Sequence, residues 1–594
     1  MSYRRKKLLA LFCATALSMT AVAGCTGTKS STGNVVSSET ETNAEETSAQ
    51  SEAGSFSSAD MFTERDLART YEESGAVYVT LSDDGITGET DGVVIKGQTV
   101  TITAEGTYIF SGTLSEGQIV VDADNAKVQI VFDNVDITCA SSAAVYVKSA
   151  EKVFVTLAEG SQNTLRNTDE YVAIDDNNID AVIFAKSDLT LNGTGSLTIV
   201  SAEGHGIVSK EDLKVTGGTY DITAAGHALS GKDSVRIADG TFILTAEKDG
   251  IHAENADDEE KGYIYIADGD FTITSDGDGM DASNIVQIED GTLDITAGGG
   301  AANSLKTHES DMPGGPGGGM PQNGEKLDGE SMPQMGEKPD GENMPQDTTT
   351  DESGTSTKGI KAGGGMYLNG GTYQIDSADD SIHSNANITI ADGTYTLATG
   401  DDGVHADDAL IVNGGTITVT ESYEGLEGLA VTINDGTIDI TASDDGINTA
   451  GEKMELNGGY IHILAGGDGV DSNGDLTING GEIYIDGPSD NGNSAIDYGD
   501  RSSAYVNGGM LVAIGSSGMA EGMSDSSKQE VLMVKLGEQM EAGDVELTDN
   551  EGNVIVSYTA LKSYDCVIIS TAEVESGATY TLTTSGTTTE VTAE

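Results

Sequence analysis

A glycine-centred pattern recurs along the chain and restricts its fold more than any other feature. Gly-Gly or Asp-Gly pairs end at positions 218, 240, 269, 291, 371, 393, 415, 436, 459, 481 and 509, most often 21 to 23 residues apart. Apolar residues alternate on both sides of each pair, which indicates a strand, a tight turn and a second strand. A unit of about 22 residues leaves room for one more short strand, so the repeat predicts coils of a parallel β-helix.

The predicted fold class is therefore all-β, a right-handed parallel β-helix with a short N-terminal helical cap and a small C-terminal β cap. Both caps are expected because an open solenoid end presents unpaired strand groups that promote aggregation. Residues 61–74 have an amphipathic helical pattern, and residues 525–594 are typical of a small β unit. The predicted domains are a signal peptide (1–24), a disordered tether (25–58), the helical cap (59–75), N-terminal coils (76–305), a disordered insert (306–357), C-terminal coils (358–519) and the β cap (520–594).

Two low-complexity segments flank or interrupt the repeats. Residues 26–58 are almost all small or polar, a composition that buries too little apolar surface to order itself. The insert holds six of the seven prolines of the chain. Proline removes a ladder donor and is excluded from central strands, so we interpret the insert as a loop extruded from the coils.

The first 25 residues are typical of an export signal. Basic residues 4–7 precede an apolar run, 8–22, that is too short to span a bilayer. The sequence ends Val22-Ala23-Gly24-Cys25, which resembles the lipobox of bacterial lipoproteins. That resemblance implies lipidation of Cys25 and a location on the outer face of the bacterial cell membrane; the alternative is an ordinary cleaved signal with a chance cysteine.

Charge excludes several classes of partner. The chain has 99 acidic and 29 basic side chains, for a net charge of −70. Such a surface repels nucleic acid and anionic membranes, so we expect no nucleic acid and membrane contact through the lipid anchor only. An acidic polymer would approach only where divalent cations intervene. Cys139 and Cys566 remain after export and lie far apart, so no disulfide framework is implied, and we expect a monomer.

A second motif, Asp-Gly-apolar-polar, occupies the expected third strand of most coils. It begins at Asp249, Asp278, Asp402, Asp445 and Asp468. Strand register would stack these acids, and neighbours one coil apart repel by roughly 3 kcal/mol at an effective dielectric near 20. Oxygen donors at this density favour several Ca²⁺ ions. The candidate metal ligands are Asp249, Asn255, Asp257, Asp278, Asp281, Asp402, Asp445, Asp468 and Asp471. The alternative is that Asp-Gly is merely good turn chemistry.

The same alternation predicts which residues point outward from the strand before the glycines. Over four coils they are Lys214, Arg236, Tyr265 and Gln287. Because bases are scarce, two adjacent ones followed by an aromatic residue suggest a surface that binds anionic sugar. The alternative is a scattered solvated face.

Taken together, these segments resemble the calcium-loaded right-handed β-helix carbohydrate-binding domain of clostridial-type surface proteins. The likeness covers roughly residues 90–585 and rests on segments 106–114, 188–197, 210–213 and 577–582 together with the Asp-Gly coils. It implies calcium-dependent binding of acidic plant-wall polysaccharide, especially galacturonan, without catalysis. The long insert and the histidines in acid positions depart from the family pattern.

Two other functions remain open at this point. Pectate lyases and polygalacturonases share the fold class, and Gly204-His205-Gly206 looks like a polygalacturonase motif, although no matching Arg-x-Lys follows it. A calcium-dependent lyase needs an Arg or Lys base beside the metal, for which Lys214 and Arg236 are the candidates. The third reading is a calcium-stiffened adhesin or spacer.

Overall fold

The computed structural model describes residues 55–88, 91–258, 260–306, 356–451, 453–499 and 501–593. The predicted signal peptide, Cys25 and nearly all of the tether and insert lie outside these ranges. Within them, no helix is both long and apolar enough to cross a membrane.

Most of the described chain forms three rows of parallel strands, in which each strand pairs with the strand one coil later. Row 1 precedes the glycine turn and comprises Lys152–Leu157, Asp188–Gly193, Asp212–Val215, Ser234–Ile237, Tyr263–Ile266, Val286–Ile288, Met366–Leu368, Ile388–Ile390, Met454–Leu456, Leu476–Ile478 and Ala504–Val506. Row 2 follows the turn and comprises Gln162–Asn167, Ser196–Ser201, Thr219–Ala224, Thr241–Ala246, Asp270–Ser275, Thr292–Ala297, Thr372–Ser377, Thr394–Thr399, Thr416–Glu421, Thr437–Ala442, Tyr460–Ala465, Glu482–Asp486 and Met510–Gly515.

Row 3 carries the Asp-Gly motif. It comprises Thr99–Ile102, Gln118–Asp122, Val145–Ser149, Ala181–Ala185, His205–Ser209, Leu229–Gly231, Ile251–Ala253, Met280–Ala282, Ile360–Ala362, Ile382–Ser384, Ile447–Thr449, Val470–Ser472 and Ile496–Tyr498. Four long strands serve two rows each: Gly106–Leu114 and Lys127–Thr138 serve rows 1 and 2, and Val404–Val412 and Leu426–Ile433 serve rows 3 and 1.

The predicted alternation is confirmed in these rows. Inward residues such as Leu213, Val215 and Ile222 are fully buried, and equivalent residues of successive coils stack in one continuous apolar core. At the turns, Gly481 has φ of +89°, and a Cβ there would lie 2.8 Å from the Gly459 carbonyl oxygen, so only glycine fits without strain. The arrangement is all-β and consistent with a solenoid.

The register crosses the insert without a break. Met280 pairs with Ile360, although 80 positions separate them in sequence. A short 3-10 helix, Ala301–Asn303, precedes the insert. The insert therefore leaves one coil and the next coil resumes in register, with row 3 beginning directly after it.

The chain ends are built differently from the coils. The remaining N-terminal strands are Val77–Leu81, Thr87–Gly88 and Val93–Lys96. At the other end, Tyr564–Ser570 pairs antiparallel with both Met510–Gly515 and Val531–Met540. A separate antiparallel sheet comprises Val554–Ala560, Gly543–Thr548, Thr579–Thr584 and Thr587–Thr592.

The N-terminal segment 56–71, here called the strap, differs from the predicted helical cap. Only Ser58–Asp60 and Glu64–Leu67 are helical, each for about one turn. The segment lies along the outward face of row 1 instead of forming a helix over 61–74. Phe56 exchanges backbone hydrogen bonds with the Gln287 amide, Arg236 donates to the Met61 carbonyl, and Gln129 donates to the Thr70 carbonyl.

Asp66 fixes the middle of the strap. Its side chain is fully buried and accepts from Lys152 Nζ at 2.5 Å, from Thr190 Oγ1 at 2.8 Å and from the Thr63 backbone at 3.0 Å. Burial alone would raise the pKa of Asp66, but these hydrogen bonds and the Lys152 charge hold it well below its usual range. The strap is therefore attached through a buried ion pair.

We expect Asp66→Asn to destabilise the protein by about 3 kcal/mol, because it leaves the Lys152 ammonium buried without its partner. The contribution of Asp66 should also be lost as pH falls below about 4, since its folded pKa is depressed. Denaturant unfolding followed by circular dichroism measures both effects. Asp60→Asn, at an exposed strap position, is the control, and equal stability of the two variants would contradict the assignment.

Candidate functional site

Two columns of polar side chains follow row 3. The first column lies two residues before the apolar residue that pairs from coil to coil in row 3, such as Ile251 or Met280. It contains His205, His227, Asp249, Asp278, Lys358, Asp380, Asp402, Glu424, Asp445 and Asp468. The second column is the middle residue of the strand and contains His252, Asp281, Lys361, His383, His405, Glu427, Asn448, Asp471 and Asp497. Parallel register thus stacks the motif residues.

Aspartates of the first column use one carboxylate oxygen to accept a backbone hydrogen bond from the next coil. Asp249 Oδ1 accepts the Asp278 amide at 2.9 Å, Asp402 Oδ1 accepts the Glu424 amide at 3.1 Å, and Asp445 Oδ1 accepts the Asp468 amide at 2.6 Å. His205 and His227 do the same with Nδ1, which accepts the amide of the first-column residue one coil later. Turn chemistry therefore explains one carboxylate oxygen of each of these aspartates, and the charge on the other oxygen remains to be neutralised.

Lysines neutralise the middle coils. Lys306 and Lys358, at the two ends of the insert, contact Asp379 Oδ1 at 2.7 and 2.9 Å, and Lys358 also contacts Asp380 at 2.6 Å. Despite the opposing effect of burial, the neighbouring carboxylates raise the pKa of both lysines above the usual range. Burial would also raise the pKa of Asp380, but the charges of Lys358, His383 and Lys306 hold it well below the usual range of a carboxyl. These coils carry their own cations.

Lys361 does the same for the coil before the insert. Its Nζ lies 3.3 Å from Asp281 and 3.5 Å from Asp278. Burial raises the pKa of Asp278 to about 6 even so. One coil earlier, Asp249 Oδ2 lies 3.0 Å from both His227 Nδ1 and His252 Nδ1. The carboxylates outweigh burial and raise the pKa of His252 to about 10.

In the last coils, no lysine or histidine of the described structure neutralises the carboxylates of Asp445, Asp468 and Asp471. Ligand atoms of Asp445, Asp468 and Asp471 lie within 4.8 Å of one another. Burial, reinforced by neighbouring carboxylates, raises the pKa of Asp445 to about 8, of Asp468 to about 7 and of Asp471 to about 6. Without a cation, the raised pKa values favour protons on Asp445 and Asp468 near neutral pH.

The coils just before them have mixed partners. Burial and Asp402 raise the pKa of Glu424 to about 10 and that of Glu427 to about 8. His405 Nδ1 lies 3.2 Å from Asp402 Oδ2 and 3.3 Å from Glu427 Oε2, and these carboxylates raise its pKa to about 10 against the effect of burial. The ligand atoms of Asp402, His405 and Glu427 form a second compact group.

Two predicted metal ligands do not join the columns. Asn255 and Asp257 stand in the loop after Ile251–Ala253 and pair with the preceding coil. Asn255 Nδ2 donates to Asp233 Oδ1 at 2.7 Å, and Asp257 meets Lys232 at 2.9 Å with 83% of its side chain exposed. The structure does not bring them to the columns, because this loop turns toward Lys232 and Asp233.

The predicted sugar-binding face is largely buried in the structure. Lys214, Arg236, Tyr265 and Gln287 point outward from row 1, as the alternation requires. The strap contacts Tyr265 and Gln287, which are 0% and 1% exposed, and Lys214 is 7% exposed. Arg236 pairs with Asp212 at 2.9 Å and donates to the Met61 carbonyl. The Arg236 and Gln287 side chains therefore hold the strap through its backbone, and the Tyr265 ring packs against Phe62 of the strap.

Several column members were not among the predicted ligands. Lys358 and Lys361 lack the Asp-Gly signature because they follow the insert, and His383, His405 and Glu427 occupy the polar fourth position of the motif. Lys306 lies 95 positions from Asp401, with which it forms an ion pair. The signal available in the sequence was the fixed offset from the apolar strand residues, which places Lys358 and Lys361 in the same two slots as Asp278 and Asp281.

We expect the metal-free protein to lose stability as pH rises from about 5 to 8. The raised pKa values mean that the folded state holds protons on Asp445, Asp468 and Glu427 that the unfolded chain has released above about pH 4, so folding weakens as pH rises. Thermal unfolding midpoints in metal-free buffers measure this slope. Asp445→Asn/Asp468→Asn should flatten it, and a midpoint that rises toward pH 8 would contradict it.

Two comparisons with known proteins give the same family description. The family described as carbohydrate-binding domain-containing protein matches residues 96–403 and 401–579. A carbohydrate-binding domain-containing protein of Acetivibrio thermocellus (strain ATCC 27405) is 42% identical over 131 residues, which are 22% of this chain and 46% of that relative, so less than half of the relative's length is matched.

A solved structure is also similar in sequence. It is described as a polysaccharide lyase-like protein from C. thermocellum, in a gadolinium derivative, and is 36% identical, covering 38% of this chain and 92% of its own, with a TM-score of 0.37. The family match spans most of the three rows and both columns. The chain belongs to the carbohydrate-binding domain-containing protein family.

Proposed function

We propose that this protein is a non-catalytic, calcium-dependent carbohydrate-binding protein whose ligand is an acidic polysaccharide such as polygalacturonate. The observation that carries the proposal is the uncompensated group Asp445, Asp468 and Asp471 in a chain that belongs to a carbohydrate-binding family. Three carboxylates within one small volume need protons or a cation at neutral pH.

The donor set fits calcium. Ca²⁺ takes six to eight oxygen ligands at about 2.4 Å and tolerates irregular geometry. Asp445, Asp468 and Asp471 supply carboxylate oxygens from two consecutive coils, and Asp497 continues the second column one coil further. Bound calcium would replace the protons that the raised pKa values indicate and leave coordination positions for a ligand from solution.

Partial exposure of the columns supports ligand access. The Glu427 side chain is 18% exposed and that of Asp281 is 20% exposed, so the columns are partly accessible to solvent. A chain of net charge −70 repels a polyuronate unless cations lie between them. Calcium shared by column carboxylates and sugar carboxylates would provide that bridge.

The remaining parts of the proposal concern the whole protein. The rows are proposed to wind as a right-handed parallel β-helix, the hand that parallel crossovers adopt. Cys25 is proposed to carry lipid that anchors a monomer to the outer face of the bacterial cell membrane. The coils would then present the columns to extracellular polysaccharide.

We expect chelation to abolish binding to polygalacturonate and added Ca²⁺ to restore it. Asp445→Asn/Asp468→Asn should weaken calcium-dependent binding by about 10- to 100-fold, because it removes two ligand charges. Pull-downs on polygalacturonate, neutral glucan and peptidoglycan, with and without Ca²⁺, measure this. Asp270→Asn/Asp294→Asn removes the same charge from exposed row 2 positions and should bind normally.

Binding that survives chelation would contradict the calcium bridge. Calcium uptake without binding to any of the three polymers would favour a stiffened spacer or adhesin instead. Equal losses in the column and row 2 variants would indicate a general charge effect.

A lyase activity is the enzymatic alternative, and the charges beside the columns weigh against it. Lys306, Lys358 and Lys361 lie against carboxylates that, in spite of burial, raise the pKa of each lysine, so these side chains stay protonated at neutral pH. Lys214 is 7% exposed and pairs with Asp212 at 3.3 Å, and Arg236 pairs with Asp212 at 2.9 Å and donates to the Met61 carbonyl of the strap. His205 Nδ1 is occupied by the His227 amide at 2.9 Å.

We expect no unsaturated uronide product from polygalacturonate in a calcium-replete assay at pH 7 to 9. The physical reason is that the column lysines are held in their charged form and cannot accept a proton. Ultraviolet absorbance of the product measures the reaction. A product signal that Lys361→Met removes would overturn the non-catalytic assignment.

A further inference from the structure

Histidines in the second column have a feature that the acids lack. His383 Nε2 lies 2.9 Å from Asn385 Oδ1, His405 Nε2 lies 3.6 Å from Asp407, and His252 Nε2 lies 3.4 Å from Glu254. In each case the residue two positions on supplies the oxygen. This repeated His-x-(Asn/Asp/Glu) pattern turns Nδ1 of every ring toward the carboxylate columns.

The pairing at His383 sets its tautomer. Because the amide oxygen of Asn385 only accepts, Nε2 carries the hydrogen, and Nδ1 of the neutral ring carries a lone pair. That Nδ1 is buried and lies 2.8 Å from Asp380 Oδ2, so it faces the carboxylate columns. Oxygen acceptors that orient the distal nitrogen are the usual second contacts of metal-binding histidines.

His383 and His405 are arranged so that two rings can serve one ion. Their centroids are 5.0 Å apart and their planes are inclined at 68°. His383 Nδ1, His405 Nδ1 and an Asp380 oxygen lie within 4.8 Å of one another, and Asp402 Oδ2 is 3.2 Å from His405 Nδ1. Donors about 2.0 to 2.2 Å from a tetrahedral ion are about 3.3 to 3.6 Å apart, which falls within the observed range of spacings.

The other histidine group is less suitable. His227 and His252 stack with their rings 4.1 Å apart and inclined at only 9°, so one ion cannot lie in both ring planes. His227 Nδ1 also accepts the Asp249 amide at 3.2 Å. The inclined pair, His383 and His405, is therefore the better nitrogen site.

We propose that His383 and His405, with carboxylates of Asp380 and Asp402, form a second metal centre that takes a borderline transition-metal ion such as Zn²⁺. Imidazole nitrogen favours Zn²⁺ and its neighbours in the series, whereas Ca²⁺ takes oxygen. Acidic side chains around the pair outnumber the lysines Lys306 and Lys358: they are Asp379, Asp380, Asp401, Asp402, Glu424 and Glu427. The columns would then hold two classes of ion, separated along one row.

The test is Zn²⁺ binding by the purified protein after metal removal, in the presence of excess Ca²⁺. Wild type should bind one Zn²⁺ at this site, and His383→Gln/His405→Gln should lose at least about 100-fold in Zn²⁺ affinity while keeping calcium binding. Asp445→Asn/Asp468→Asn should show the opposite pattern. Asn385→Ala should weaken Zn²⁺ binding about 10- to 100-fold, because Asn385 only positions His383.

Co²⁺ gives an independent readout. Its visible absorption should be strong and typical of four-coordinate nitrogen and oxygen ligation in wild type, and it should disappear in the histidine variant. Thermal unfolding in metal-free buffer checks that each variant folds. Unchanged Zn²⁺ affinity in the histidine variant, or no Zn²⁺ bound by wild type under excess Ca²⁺, would overturn the proposal and leave the histidines as protonated counter-ions, without touching the calcium assignment.

Discussion

The stacking of like-charged side chains along row 3 is the constraint on which the rest of this structure depends. Parallel register repeats each coil directly on the next, so an acid placed once to accept a backbone amide is placed many times in a column. The same hydrogen bond that fixes the turn brings the second carboxylate oxygens together. Folding therefore creates a repulsion of roughly 3 kcal/mol per neighbouring charged pair that something must offset.

The chain offsets this repulsion in different ways along the row. Lys306, Lys358 and Lys361 neutralise the coils around the insert, and histidines do so on either side of them. No cationic side chain of the described residues pairs with Asp445, Asp468 and Asp471, so in the absence of a metal ion only protons can reduce their mutual repulsion. Acids around the insert have lysine or histidine partners, whereas the acids of the last coils have none among the described residues. This difference explains why that end of the row is the best candidate for calcium.

Much of the fold followed from periodicity alone. Alternating apolar residues and a glycine pair every 22 residues or so identify inward positions, and Leu213, Val215 and Ile222 are buried as expected. The strap could not be predicted in the same way. Its contacts join Phe56 to Gln287 and Asp66 to Lys152, which are 231 and 86 positions apart, and no local pattern encodes such pairings.

The candidate site was predictable only where the motif was regular. Stacking of the Asp-Gly acids followed from strand register. A residue of another type at the same position, such as Lys361, could not be found by searching the sequence for acids. Asn255 and Asp257 are the opposite case: their side chains are suitable metal ligands, but they lie in a loop that faces Lys232 and Asp233. Position in the coil, more than residue type, decides membership of the columns.

The most direct test of the central claim is a crystal structure of the calcium-loaded protein with anomalous scattering at a calcium-sensitive wavelength. We expect an anomalous peak bound by oxygens of Asp445, Asp468 and Asp471, with no comparable peak between Asp278, Asp281 and Lys361. A structure at neutral pH in saturating Ca²⁺ whose column carboxyls pair directly with one another, with no ion among them, would contradict it.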